Sequence, residues 1–144
     1  AEFMAKLWPL QVRLSSALHA QLLTAARAAH PRECCGLLFG DDGAIHRLAP
    51  TANVSDDPAR AFEIDPAALI AAERAMRKGG DRLSGPYHSH PHGRSEPSPR
   101  DAASAAPDGR LWLIVADDHV AAWRALEGGA LLNMFDPVAL HLAD

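Results

Sequence analysis

The segment from Asp65 to Gly80 constrains this chain more than any other. Asp65 offers a side-chain oxygen to the unpaired N–H groups of a helix start, Pro66 has the fixed φ that suits the first helical position, and Gly79-Gly80 ends the run. Leu69, Ile70, Glu73, Met76 and Arg77 carry the helical pattern between these signals, so the helix has an apolar face that needs a partner surface. Short strands on either side supply one. Gly36-Leu37-Leu38-Phe39-Gly40 is apolar, bounded by glycines and too short for a helix, which makes it a buried strand; Leu83 to His88 is a second. The expected fold class is α+β, with helices on a mainly antiparallel or mixed sheet.

The remaining segments fit that scheme. A short strand through Val12 and Leu14 precedes a helix that Ser15 or Ser16 caps, with Leu18, Leu22, Leu23 and Ala26 on one face and its end before Pro31. Asp41-Asp42-Gly43 turns the chain into a second hairpin arm, Ile45 to Leu48. Pro50 to Arg60 reads as an exposed loop and Ala61 to Ile64 as strand-like. A Pro-, Gly- and Ser-rich loop spans Pro91 to Pro99, and Ser98 can cap a short helix from Pro99 to Ala105. Leu111 to Ala116 and His119 to Leu126 form a hairpin turning at Asp117-Asp118, with Leu131 to Phe135 as a further strand.

Composition narrows the function classes. A chain of 144 residues, 48% hydrophobic and 22% charged, is expected to be one domain with a core that needs no disulfide staples. Fourteen Lys plus Arg against eighteen Asp plus Glu leave a formal charge of −4, so no electrostatic footprint for nucleic acid exists. No stretch is apolar enough to span a membrane and no signal peptide is visible, which implies a cytoplasmic protein. Ala1-Glu2-Phe3 before Met4 reads as a cloning scar, leaving 4–144 as the single domain. Cys34 and Cys35 are neighbours, a spacing that strains a mutual disulfide, and they read as reduced thiols.

The chemistry concentrates around His88, His90 and His92, where a strand gives way to a loop. Alternation puts His88 and His90 on one face, about 7 Å apart along the backbone, close enough to converge on one zinc ion. A catalytic zinc needs a third ligand and an open position, and Asp101, beyond the loop on the short helix, can supply the carboxylate. Such a site would also accept iron, cobalt or manganese. His92 follows Pro91, which breaks the alternation, so it reads as a loop histidine. Trp112 and Trp123 alternate with aliphatic residues and read as core.

His88-Ser89-His90-Pro91, Ser98 and Asp101 together meet the spacing H-S-H-x7-S-x2-D, which resembles the JAMM motif of the JAB1/MPN metalloprotease family. Glu33, in Pro31-Arg32-Glu33-Cys34-Cys35-Gly36-Leu37-Leu38, stands where that family has its upstream glutamate. Gly85-Pro86-Tyr87 and Phe62-Glu63-Ile64-Asp65-Pro66 look like the small stand-alone bacterial members, and the resemblance runs over roughly residues 10 to 126. Glu96 and the last fifteen or so residues depart from it.

The resemblance implies a cytidine-deaminase-like mixed sheet with two main helices and a short helix after the metal loop. It implies one Zn2+ per chain held by His88, His90 and Asp101, Glu33 as general base, and Ser98 as an oxyanion donor that can also be a plain helix cap. The implied activity is hydrolysis after the C-terminal Gly-Gly of a ubiquitin-like or sulfur-carrier protein of the ThiS or MoaD type. The tail would add as a strand at an exposed edge within Pro50 to Arg60. Two other readings remain: a non-catalytic interaction scaffold of the same fold, and a RadC-like protein associated with DNA. The H-x-E and P-C-x-x-C elements of zinc deaminases and the HExxH of other zinc peptidases are absent. The sequence leaves the oligomeric state open.

Overall fold

The computed structural model describes residues 8–144, so the reading of the first three residues as a scar lies outside the described residues. Strand β1, Gln11–Leu14, leads into helix α1, Ser16–Ala29. Of the two serines offered as caps, Ser15 acts: its hydroxyl accepts from the Leu18 N–H at 3.1 Å. Strands β2, Cys35–Gly40, and β3, Ile45–Thr51, form the hairpin, with the Asp41 carboxylate accepting from the Gly43 N–H in the turn. Helix α2, Pro66–Arg77, starts on the Asp65 side chain, which accepts from the Ala67 N–H at 3.0 Å. Strand β4, Leu83–Ser89, helix α3, Pro99–Ser104, and strands β5, Leu111–Ala116, β6, His119–Gly129, and β7, Asn133–Leu142, complete the elements of the described residues.

Among the described residues, seven strands make one sheet in the order β1-β7-β6-β5-β4-β2-β3. It is mixed: β1 with β7 and β4 with β5 are parallel, the other neighbours antiparallel. The sheet curls until its ends meet, where the Arg13 N–H donates to the Gly43 carbonyl at 2.9 Å. Inside the curl lies the main core of Val12, Leu14, Leu22, Leu38, Leu113 and Val115, on which α1 packs Leu18 and Leu23. On the other face α2 covers Leu37, Phe39 and Leu83 with Ala72, Leu69 and Met76. Gly85 in β4, at φ 155°, lies so close to the Leu111 carbonyl that a Cβ would collide with it, and β4 can approach β5 only because this residue has none.

Three sequence expectations need correction. Ala61 to Ile64 is not a strand; only Ile64 forms an isolated bridge, to Asn53, because the backbone groups on either side bond within their own loop. Only Pro50 and Thr51 of the segment Pro50 to Arg60 lie on the edge strand β3, while the rest folds back over Glu33. The last strand begins at Asn133 and continues to Leu142, well past the expected end at Phe135. Pro137 lies inside this strand. Ala139 donates to the Leu10 carbonyl, so position 137 faces the same side but falls before the β1 pairing begins, and its missing N–H removes no rung of that ladder.

Candidate metal and catalytic site

The site sits where β4 ends beside β2 and α3. His88 is fully buried in β4, its ring stacked on Phe62 at 4.1 Å and met edge-on by Trp112 at 5.8 Å. His90 lies one residue past the strand, anchored by its N–H on the Val115 carbonyl. Its Nδ1 lies 2.6 Å from the Arg94 carbonyl, a contact that requires Nδ1 to carry a proton and makes Nε2 the lone-pair nitrogen of the neutral ring. Between the histidines, the Ser89 hydroxyl points the other way and accepts from the Cys34 N–H at 2.8 Å, which ties the chain beside Glu33 to β4.

Asp101 is the third residue of α3 and completes a capping box with Ser98: the Ser98 hydroxyl accepts from the Asp101 N–H at 3.1 Å, and Asp101 Oδ2 accepts from the Ser98 N–H at 2.9 Å. The same Oδ2 lies 3.1 Å from both His88 Nε2 and His90 Nε2, which are 3.0 Å from each other. One ligand atom each from Glu33, His88 and His90 lie within 4.8 Å of one another. The five residues marked by the motif are thus gathered at one place, although they come from three separate stretches of chain: the residue before β2, the end of β4 and the start of α3. His92 is not among them; it is exposed and meets His30 edge-on at 5.3 Å. Cys34 and Cys35 are free thiols, and the Cys35 sulfur contacts Thr51 instead of the cluster.

Electrostatics set the protonation states. Burial pushes the Glu33 carboxyl up to about 7, His90 opposing and Asp101 adding to the rise, and its Oε1 is buried without a hydrogen-bond partner. Burial lowers His88, against the pull of Asp101, and so favours the neutral imidazole. Burial also opposes charge on His90 and Asp101. For His90 the hydrogen bonds to Asp101 and the Arg94 carbonyl prevail and raise it; for Asp101 those from His88 and His90 prevail and hold it well below the usual carboxylate range.

This donor set fits a divalent metal ion. Two imidazole Nε2 atoms and a carboxylate oxygen crowd into a triangle 3.0–3.1 Å on a side. A tetrahedral site with bonds of about 2.0–2.1 Å has edges of about 3.3–3.4 Å, a small expansion of what is found. A Glu33 carboxylate oxygen lies within 4.8 Å of a ring nitrogen of each histidine, and Oε1 is buried without a partner.

Sequence reasoning missed three supporting residues. Trp123, read as core, is half-buried, and its indole N–H donates to the Ser95 carbonyl at 2.9 Å, holding the loop that presents Arg94 to His90. Phe62 and Asn53 come from the segment between β3 and α2. Nothing in a polar loop sequence marks an asparagine as bonding to Glu33 or a phenylalanine as stacking on His88, each twenty or more residues away along the chain.

A family model described as prokaryotic homologs of the JAB domain matches residues 15–126. The desampylase of Haloferax volcanii is 37% identical over 90 residues, 61% of this chain and 65% of that protein. A Thermus thermophilus protein named "Probable TtuB-protein conjugate cleaving protease" is 41% identical over 99 residues, 68% of this chain and 65% of its own length. The matches therefore span less than two thirds of either relative. Among solved structures, a JAB1/MPN-domain protein from Archaeoglobus fulgidus aligns with TM-score 0.61 at 21% identity, covering 92% of this chain and 98% of that one. The curled mixed sheet with its three helices is the JAB1/MPN-like fold.

Proposed function

This chain belongs to the family of prokaryotic JAB-domain homologues, and from that premise we propose that it is a zinc-dependent isopeptidase acting on conjugates of a ubiquitin-like protein. The observation that carries the reading is the triangle of His88, His90 and Asp101 with the unpartnered Glu33 carboxylate beside it. The names of the two curated relatives, a desampylase and a conjugate-cleaving protease, support the substrate class. The finer proposal is that the scissile bond follows a C-terminal Gly-Gly of a ubiquitin-like or sulfur-carrier protein, because glycine alone lets the backbone approach so enclosed a centre.

His88, His90 and Asp101 would hold one zinc per chain. When bound there, zinc acidifies water and polarises the scissile carbonyl. The chain's own residues do the rest. Glu33, whose carboxyl burial raises in the metal-free chain, removes the proton from the attacking water and passes it to the leaving amine as the C–N bond breaks. Ser98 accepts from the Asp101 N–H, which leaves its own O–H free to donate to the oxyanion of the tetrahedral state. Phe62, packed flat on His88, shields that imidazole from bulk water. Asp101, kept ionised, accepts from the Ser98 N–H and is thereby held where it would serve as the third ligand.

The test is intact-mass spectrometry of a small ubiquitin-like protein extended beyond Gly-Gly, incubated with the enzyme. Cleavage after Gly-Gly that stops with chelator, returns with zinc and is abolished in Glu33→Ala is expected. No cleavage by zinc-loaded protein would reject the substrate, and cleavage by Glu33→Ala at the wild-type rate would reject the general base.

A further inference from the structure

Glu33 lies in an irregular stretch between α1 and β2, so no helix or sheet ladder fixes its backbone. The loop over residues 53–63 does so instead. The Glu33 N–H donates to the Pro58 carbonyl at 2.7 Å, and the Glu33 carbonyl accepts from Asn53 Nδ2 at 3.0 Å. That one amide also donates to the Ala61 carbonyl at 3.0 Å, while its Oδ1 accepts from the Ser55 N–H at 3.0 Å and the Glu63 N–H at 3.1 Å. Asn53 therefore makes four hydrogen bonds with four different residues, and three of them close the loop on itself. The loop then reaches the other parts of the site: Phe62 stacks on His88, and Asp57 pairs with Arg100 of α3, next to Asp101.

We infer that Asn53 is a positioning residue for Glu33: its side chain locks the 53–63 loop in the form that clamps both backbone polar groups of Glu33 and so aims the carboxylate at the histidine pair. The Glu33 carboxylate gains no direction from hydrogen bonds of its own, since Oε1 has no partner. Its aim depends on where its backbone is held. Only an amide serves at position 53, because the place requires two N–H donors on one side and an oxygen accepting two bonds on the other. An aspartate of the same shape keeps the acceptor and loses both donors.

This inference rests on the general-base reading of Glu33, and the experiment separates the two. Asn53→Asp and Asn53→Ala are compared with wild type, Glu33→Gln and the double variant Glu33→Gln/Asn53→Asp. In metal-free protein, hydrogen exchange at the Glu33 amide should quicken at least 10-fold in both Asn53 variants, while amides of β4 and β5 keep their protection. In zinc-loaded protein acting on a ubiquitin-like conjugate, kcat should fall roughly 10- to 100-fold with KM unchanged, the range of groups that orient a reacting residue from behind. The double variant should be no slower than Glu33→Gln alone, since a residue that acts only through Glu33 has nothing left to position. A merely structural asparagine would slow both backgrounds equally. Unchanged exchange at Glu33, or equal losses in the two backgrounds, would overturn the inference. A fully active Glu33→Gln would instead overturn the general-base reading, and the exchange result would still decide whether Asn53 holds the backbone.

Discussion

Glu33→Gln should make the metal-free protein more stable at alkaline pH, by an amount the structure sets. The Glu33 side chain is buried in a residue only 5% exposed, and burial is the main reason its carboxyl rises from the ordinary 4.5 to about 7. The folded chain keeps this proton longer than the unfolded chain. The stability contributed by the neutral carboxyl is therefore complete below pH 4.5 and lost as pH rises through 7. A carboxyl displaced that far contributes about 3 kcal/mol over the whole window, and about 2.5 kcal/mol of it falls between pH 5 and pH 8. Glutamine has no proton to lose. Urea denaturation of both chains in excess chelator, at pH 5 and pH 8, should show the wild type losing about 2.5 kcal/mol relative to the variant, or on the order of 10 °C in Tm. Taking the difference between variants cancels the titration of groups that do not feel Glu33; His90, which does, is part of the measured difference. Parallel pH dependences in the two proteins would refute the claim that Glu33 is held as a strained, neutral-pH carboxyl. The same instability is what makes the residue useful, because a group that exchanges protons near pH 7 is suited to both taking and returning one.

Three other changes probe different parts of the site and fold. Ser98→Ala removes the acceptor for the Asp101 N–H and should cost about 1 kcal/mol of stability as a cap, together with a roughly 10²- to 10³-fold loss of turnover as an oxyanion donor; a stability loss with normal kcat would reduce Ser98 to a cap. Trp123→Phe deletes the hydrogen bond to the Ser95 carbonyl and should weaken zinc binding roughly 10-fold by loosening the loop behind His90, measured by competition with a chromophoric chelator, whereas unchanged affinity would show that the loop holds itself. Gly85→Ala places a methyl group against the Leu111 carbonyl at a φ of 155° and should destabilise the chain by about 3 kcal/mol, read as a lower urea midpoint; a neutral effect would mean that β4 and β5 can separate at no cost.

Local signals determined much of this protein. Asp65-Pro66 and Gly79-Gly80 bracketed α2 closely, Ser98 and Asp101 announced a capped short helix, and the glycine-bounded run at 36–40 announced a buried strand. Each is a case in which neighbours in sequence satisfy one another's hydrogen bonds or bury one shared face, so a short window holds the whole explanation. The histidine pair and Asp101 were legible for the same reason, since strand alternation and helix start fix their directions over a few residues.

Tertiary structure alone decided the rest. The strand β7 runs through Pro137 because β1 begins just beyond it, which is a fact about a partner more than 120 residues away. Asn53 looks like any turn asparagine until its amide is seen to hold Glu33, twenty residues upstream. Trp123 gives no sign in its own strand of the carbonyl it meets at Ser95. In each case the partner is fixed by packing and not by spacing. Whether a buried polar group or a missing donor is tolerable depends on what the folded chain brings opposite it, and only closure of the sheet settles that.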